Sequence, residues 1–140
     1  MKRNEQIETA TFAFRLDAHS GVPVYRQLID QVQAAIASGV LATGDQLPTV
    51  RQVAVDLAIN PNTVSRAYRE MEIRDLLDTQ QGTGTFIADR MVEYSKDERD
   101  RQLAQLTGEF VSRAGAAGFT LKQLVRALRE MQPEEDSKRK

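Results

Sequence analysis

A chain of 140 residues with 41% hydrophobic and 28% charged residues has room for one modest globular domain and an appendage, and no large second domain fits. It has no cysteine, one histidine (His19) and no apolar run near membrane-spanning or signal-peptide length, so disulfides, a His/Cys metal site within one chain and a membrane partner are excluded, and a cytoplasmic location without metal or cofactor is expected. The net charge of −1 rules out a broad basic field, so affinity for a polyanion has to come from a few placed arginines.

Residues 1–20 read as an N-terminal arm whose first ten residues are polar and expected to be loose. Phe12, Phe14 and Leu16 alternate with Ala13, Arg15 and Asp17, the period of a short strand with one buried face. Such a strand needs support from the small sheet further on, the appendage or a partner chain. His19 falls in a turn and reads as a solvated loop residue. A first helix is predicted from near Pro23 to about Ser38, with Val24, Leu28, Val32 and Ala35 or Ile36 on one stripe and Gly39 ending it. Val40 to Gln46 is expected to be a loop.

Thr49 with Gln52 gives a capping-box signal, and Val50, Val53, Ala54 and Leu57 recur at helical spacing. Asn60 as cap and Pro61 at the first helical position start another helix after only Ala58 and Ile59. On that second helix Val64, Ala67, Tyr68 and Met71 share one side, while Asn62, Ser65, Arg66 and Arg69 share the other. Short polar side chains with two guanidiniums one turn apart suit base edges and phosphates in a major groove; the bland alternative is a solvated helix face. Two short β-prone runs around Gly82-Thr83-Gly84 then predict a hairpin. Helix, turn, helix and hairpin in that order make a winged helix over residues 21–89.

The residues carrying this pattern resemble those of the GntR family of bacterial transcription regulators. The family's signatures stand here as Leu47-Pro48-Thr49-Val50-Arg51, as Asn60-Pro61-Asn62-Thr63-Val64-Ser65-Arg66-Ala67-Tyr68 and as Gly82-Thr83-Gly84-Thr85-Phe86, after the preamble Val22-Pro23-Val24-Tyr25-Arg26-Gln27-Leu28. Two departures stand out: Ala58 and Asp75 occupy positions where the family usually has glycine. Both positions call for a left-handed backbone, which Asp tolerates fairly well and Ala poorly. The resemblance implies a sequence-specific regulator, commonly a repressor, that binds double-stranded operator DNA. It places Thr49, Arg51, Asn60, Asn62, Thr63, Ser65, Arg66 and Arg69 of the two motif helices, and Gln81, Gly82 and Thr83 of the wing, against the duplex. Residues 21–89 carry Arg26, Arg51, Arg66, Arg69 and Arg74 against eight acids, so few cations are available for that role.

Residues 90–132 read as helical. Asp89 to Arg101 is dominated by charge, as in a solvated linking helix. Leu103, Leu106, Phe110 and Ala114 then form an apolar stripe up to Gly115 and Gly118, and Thr120 with Gln123 caps a last helix bearing Leu121, Leu124, Val125, Leu128 and Met131. Two short helices in a hairpin can bury their inner faces together, but each remains marginal without further burial. Leu103, Leu106, Phe110, Leu121, Leu124 and Leu128 are therefore read as a homodimer interface, the alternative being packing on the winged helix. Pro133 opens a charged tail, residues 133–140. The expected fold is mainly α with a small β-hairpin wing, a winged helix-turn-helix followed by an α-helical hairpin, resembling the YtrA-like subfamily. No nucleophile with a base, paired carboxylates or phosphate-cradling loop points to an enzyme. A winged helix used for protein contact is the other reading, supported by the acidic balance. No effector is identifiable from these residues.

Overall fold

The computed structural model describes residues 12–89 and 95–133. The expectations for the first residues of the arm, the middle of the linker and the charged tail lie outside these. Among the described residues five helices and three strands run in the order α1 (Val24–Ser38), β1 (Gln46–Leu47), α2 (Val50–Leu57), α3 (Pro61–Ile73), β2 (Leu77–Gln80), β3 (Gly84–Ile87), α4 (Lys96–Ala116) and α5 (Leu121–Glu130). They fall into two compact units, Met1–Arg90 and Met91–Lys140.

In the first unit, α1, α2 and α3 close around Leu28, Ile29, Val32, Val53, Ala54, Val64, Ala67, Tyr68 and Met71, and Leu76 of the turn before β2 joins the core with Leu47, Leu77 and Ile87 of the sheet. The stripe expected on α1 is present, and Ile29 joins it as a fully buried residue. Each of these helices ends on the same device. A left-handed residue closes each helix, Gly39 (φ 87°) and Ala58 (φ 56°) as the C-cap itself and Asp75 (φ 62°) just after the cap Arg74, and the next amide, of Val40, Ile59 or Leu76, donates back to Ala35, Ala54 or Met71. An apolar residue follows the left-handed one every time, so the turn satisfies the last carbonyls while folding a side chain back onto the helix.

The sheet has three strands in the order β1-β3-β2, all antiparallel. β1 begins on Gln46, the last residue of the expected loop; at two residues it is too short to show a period. Its Gln46 and Leu47 pair with Phe86 and Thr85 and tie the wing to the start of α2.

The alternating segment 12–17 corrects the expected strand. Its burial alternates as foreseen, with Phe14 buried and Phe12 and Leu16 half-buried, but no β-strand forms there. The segment lies along α1, which was not among the expected supports, and two side-chain carboxamides of that helix take the place of a neighbouring strand. Gln31 accepts from the Arg15 amide at 2.8 Å and donates to the Arg15 carbonyl at 2.6 Å. Gln27 does the same for Asp17, at 2.9 and 3.2 Å. A primary carboxamide carries the donor and acceptor of a peptide group, so it completes an extended backbone as a strand would. Phe14 meets Phe12 edge-on at 5.0 Å between ring centres and lies 6.5 Å from Tyr68.

In the second unit the charged linking helix and the first amphipathic helix are one element, α4, capped by the Ser95 side chain. Acidic Asp97 and Glu98 lie in its first turn and Arg113 in its last, each matching the sign of the helix dipole. Gly118 (φ 93°) turns the chain, and the Thr120–Gln123 capping box forms with both hydrogen bonds to open α5. The expectation that the two inner faces bury one another is not met: no residue of α4 or α5 is buried.

Candidate nucleic-acid interface

Two helix starts and a wing tip bring the candidate residues to the surface of the first unit. At α2, Thr49 is the N-cap and its hydroxyl accepts from the Gln52 amide at 3.0 Å. The Gln52 side chain does not reach back to the cap as its spacing suggested; it donates to Asp56 at 2.8 Å, one turn on. Arg51, in the first turn, is exposed.

At α3, Asn60 caps through its Oδ1, which accepts from the Asn62 amide at 2.8 Å, with Pro61 at the first helical position. Thr49 and Asn60 are thus committed first to building their helices. The Thr49 hydroxyl hydrogen and the Asn60 amino group are what remain for another partner. The inner side of α3 is held by Val64, Ala67 and Met71, fully buried, and by Tyr68, whose hydroxyl donates to the Pro48 carbonyl at 2.6 Å. Burial pushes the Tyr68 phenol well above its usual pKa, so it stays a donor. This contact pins α3 to the entry of α2 and fixes the angle of the outer face.

That outer face carries Asn62, Arg66 and Arg69, exposed, with Thr63 and Ser65 half-buried beside them. Among the described residues Arg26 and Arg74 are tied to Asp30 and Glu70 on their own helices, whereas no salt bridge engages Arg51, Arg66 or Arg69. Their guanidiniums keep their donors, which matters more here than the overall balance of charge. Arg66 has a partner of another kind: its guanidinium carbon lies 3.8 Å from the centre of the Tyr25 ring on α1. Sequence reasoning passed over Tyr25, because helical periodicity relates residues within a helix and says nothing of which residue of α1 faces α3.

The wing tip, Gln81-Gly82-Thr83, is exposed, and Gly82 takes φ 80°. Gln46 of β1 donates to the Thr83 carbonyl at 3.3 Å, so the turn is tethered at its base. Among the described residues no cluster of His, Asp or Glu is placed to hold a metal ion, and no described helix is long and apolar enough to cross a membrane.

Of the apolar residues singled out in the second unit, Leu103 and Leu106 are each 64% exposed, Phe110, Leu121 and Leu128 are also exposed, and Leu124 is half-buried. Phe119, Val125 and Met131 are exposed with them. Phe119 was not picked out from the sequence, since it sits in the turn between helices, where no period marks it.

Residues 24–87 match the sequence profile described as bacterial regulatory proteins, gntR family. The chain is 31% identical over 117 residues to the HTH-type transcriptional repressor YtrA of Bacillus subtilis, an alignment covering 84% of this chain and 90% of that one. Among solved structures it is similar to a transcriptional antiterminator from Listeria monocytogenes, with TM-score 0.62, 26% identity and coverage of 86% and 90% of the two chains. It is also similar to YtrA from Sulfolobus acidocaldarius, a GntR-family transcription factor, with TM-score 0.53, 27% identity and coverage of 74% and 97%.

Proposed function

The chain belongs to the GntR family of bacterial regulatory proteins, and from that premise we propose that it represses transcription by binding a palindromic DNA operator as a homodimer. The observation that carries this reading is the outer face of α3, where Asn62, Arg66 and Arg69 are exposed and, among the described residues, both arginines are free of carboxylate partners. In the major groove Arg suits guanine O6 and N7 or phosphate, and Asn suits the adenine edge. Arg51 at the start of α2 would hold phosphate or reach a base, with Thr49 and Asn60 donating beside it. The Gln81–Thr83 tip would follow the minor groove. Leu103, Leu106, Phe110, Leu121, Leu124 and Leu128 would meet their copies in a partner, since apolar side chains left exposed, as all of these but the half-buried Leu124 are, gain most from mutual burial. The reading places the protein in the cytoplasm with its DNA and gives it no catalytic step.

A mobility shift with duplex from upstream of the protein's own gene, run against excess random duplex, tests it. Retained binding under competition is expected. Binding lost equally to random duplex, or no shift at all, would remove the operator and favour a winged helix that contacts another protein.

A further inference from the structure

The contact between Tyr25 and Arg66 joins the first turn of α1 to the outer face of α3. Tyr25 is half-buried against the edge of the core, on a helix anchored by the fully buried Leu28, Ile29 and Val32. It is therefore a fixed platform. Arg66 projects from the exposed side of its helix, where an arginine would ordinarily sample many rotamers. With the guanidinium carbon 3.8 Å from the ring centre, the cation is engaged at the π-face, which leaves its N–H groups unbonded. A carboxylate partner would have used those donors, and among the described residues Arg66 has no salt bridge.

We infer that Tyr25 is a positioning residue for DNA recognition, its ring holding the Arg66 guanidinium on the outer face of α3 with the N–H edge free for a guanine or phosphate. Part of the cost of ordering this long side chain is then met before DNA arrives. The inference rests on the reading of Arg66 as a DNA contact. It assigns Tyr25 no contact with DNA of its own.

The experiment uses the full chain and the operator duplex, with Tyr25→Phe, Tyr25→Leu, Arg66→Ala and the Tyr25→Leu/Arg66→Ala double variant, each also titrated with random duplex. A stacked guanidinium at a partly exposed site corresponds to about two- to fivefold in affinity. Tyr25→Leu should weaken operator binding by that factor, Tyr25→Phe should retain it, and Tyr25→Leu should have no further effect once Arg66 is Ala. In the free protein, the Arg66 side-chain proton resonances should be shifted upfield by the ring current and should return to ordinary values in Tyr25→Leu. An equal loss from Tyr25→Leu with and without Arg66 would make Tyr25 a packing residue only, and tighter binding would mean that the ring withholds Arg66; either overturns the inference. A large loss for Arg66→Ala with none for Tyr25→Leu overturns the positioning role alone. No loss for Arg66→Ala overturns the reading of Arg66 as well.

Discussion

Ala58 occupies a left-handed backbone conformation (φ 56°) in which a Cβ crowds the following carbonyl, at roughly 1–2 kcal/mol per residue. The Schellman turn around it requires that conformation, because the amides of Ala58 and Ile59 close onto the Val55 and Ala54 carbonyls. Ala58→Gly should therefore stabilise the protein by about 0.5–1 kcal/mol, the relief being partly offset by the greater backbone freedom of glycine when unfolded. A urea midpoint that rises with unchanged slope is the expected result; an unchanged or lower midpoint would show that the turn carries no strain. This position was legible through the family resemblance, since the glycine usual there marks a left-handed residue. A different residue-scale prediction separates the arginines. Arg66→Ala should cost roughly 1–3 kcal/mol on the operator and alter sequence preference, whereas Arg51→Ala, if Arg51 holds phosphate only, should weaken operator and random duplex alike. Equal losses on both DNAs for Arg66→Ala would remove it from the groove.

At the scale of elements, what could be read was whatever a helix announces in its own residues. Thr49, Asn60 and Thr120 cap as their types indicate, with the full capping box formed at Thr120 but not at Thr49, and the buried side of α3 is the one its periodicity marks. What could not be read depends on partners distant in sequence. The arm alternates like a strand because one face meets a core, yet its hydrogen-bond partners are Gln27 and Gln31 of a helix, and alternation reports the buried face without reporting who supplies the bonds. The same holds for β1, whose two residues are a strand only because β3 lies beside them. Gln31→Ala should free both Arg15 backbone groups. These groups are exposed, so about 1 kcal/mol is expected from the two bonds rather than the larger penalty of a buried loss. The Arg15 amide should then exchange with solvent much faster while the amides of α3 keep their protection. If Arg15 exchange is unchanged, the carboxamide tether does not hold the arm in solution.

For the whole molecule the question is what the second unit is for. Every buried residue of the described structure lies between Phe14 and Ile87, so the first unit owns its core and α4 and α5 contribute none of it. Two helices with no fully buried residue are marginal in water, and Leu103, Leu106, Phe110, Leu121 and Leu128 leave an apolar surface that a second copy can cover. Removing everything after Arg90 should then leave a folded, cooperatively melting winged helix. What should disappear is the simultaneous engagement of two half-sites, whose centres are expected about 10 bp apart or a multiple of that. A lone unit has no tethered partner to raise its effective concentration at the second half-site, so operator affinity should fall by about 10² or more. The binding that remains should be nearly indifferent to half-site spacing, because each half-site is then found independently. Light scattering of the intact and truncated chains, with titrations of operators whose half-sites are moved apart by half a turn, measures both effects. A truncated chain that stays dimeric and binds the operator as tightly as the intact one would place dimerisation in the winged helix and leave the apolar faces of α4 and α5 to another partner.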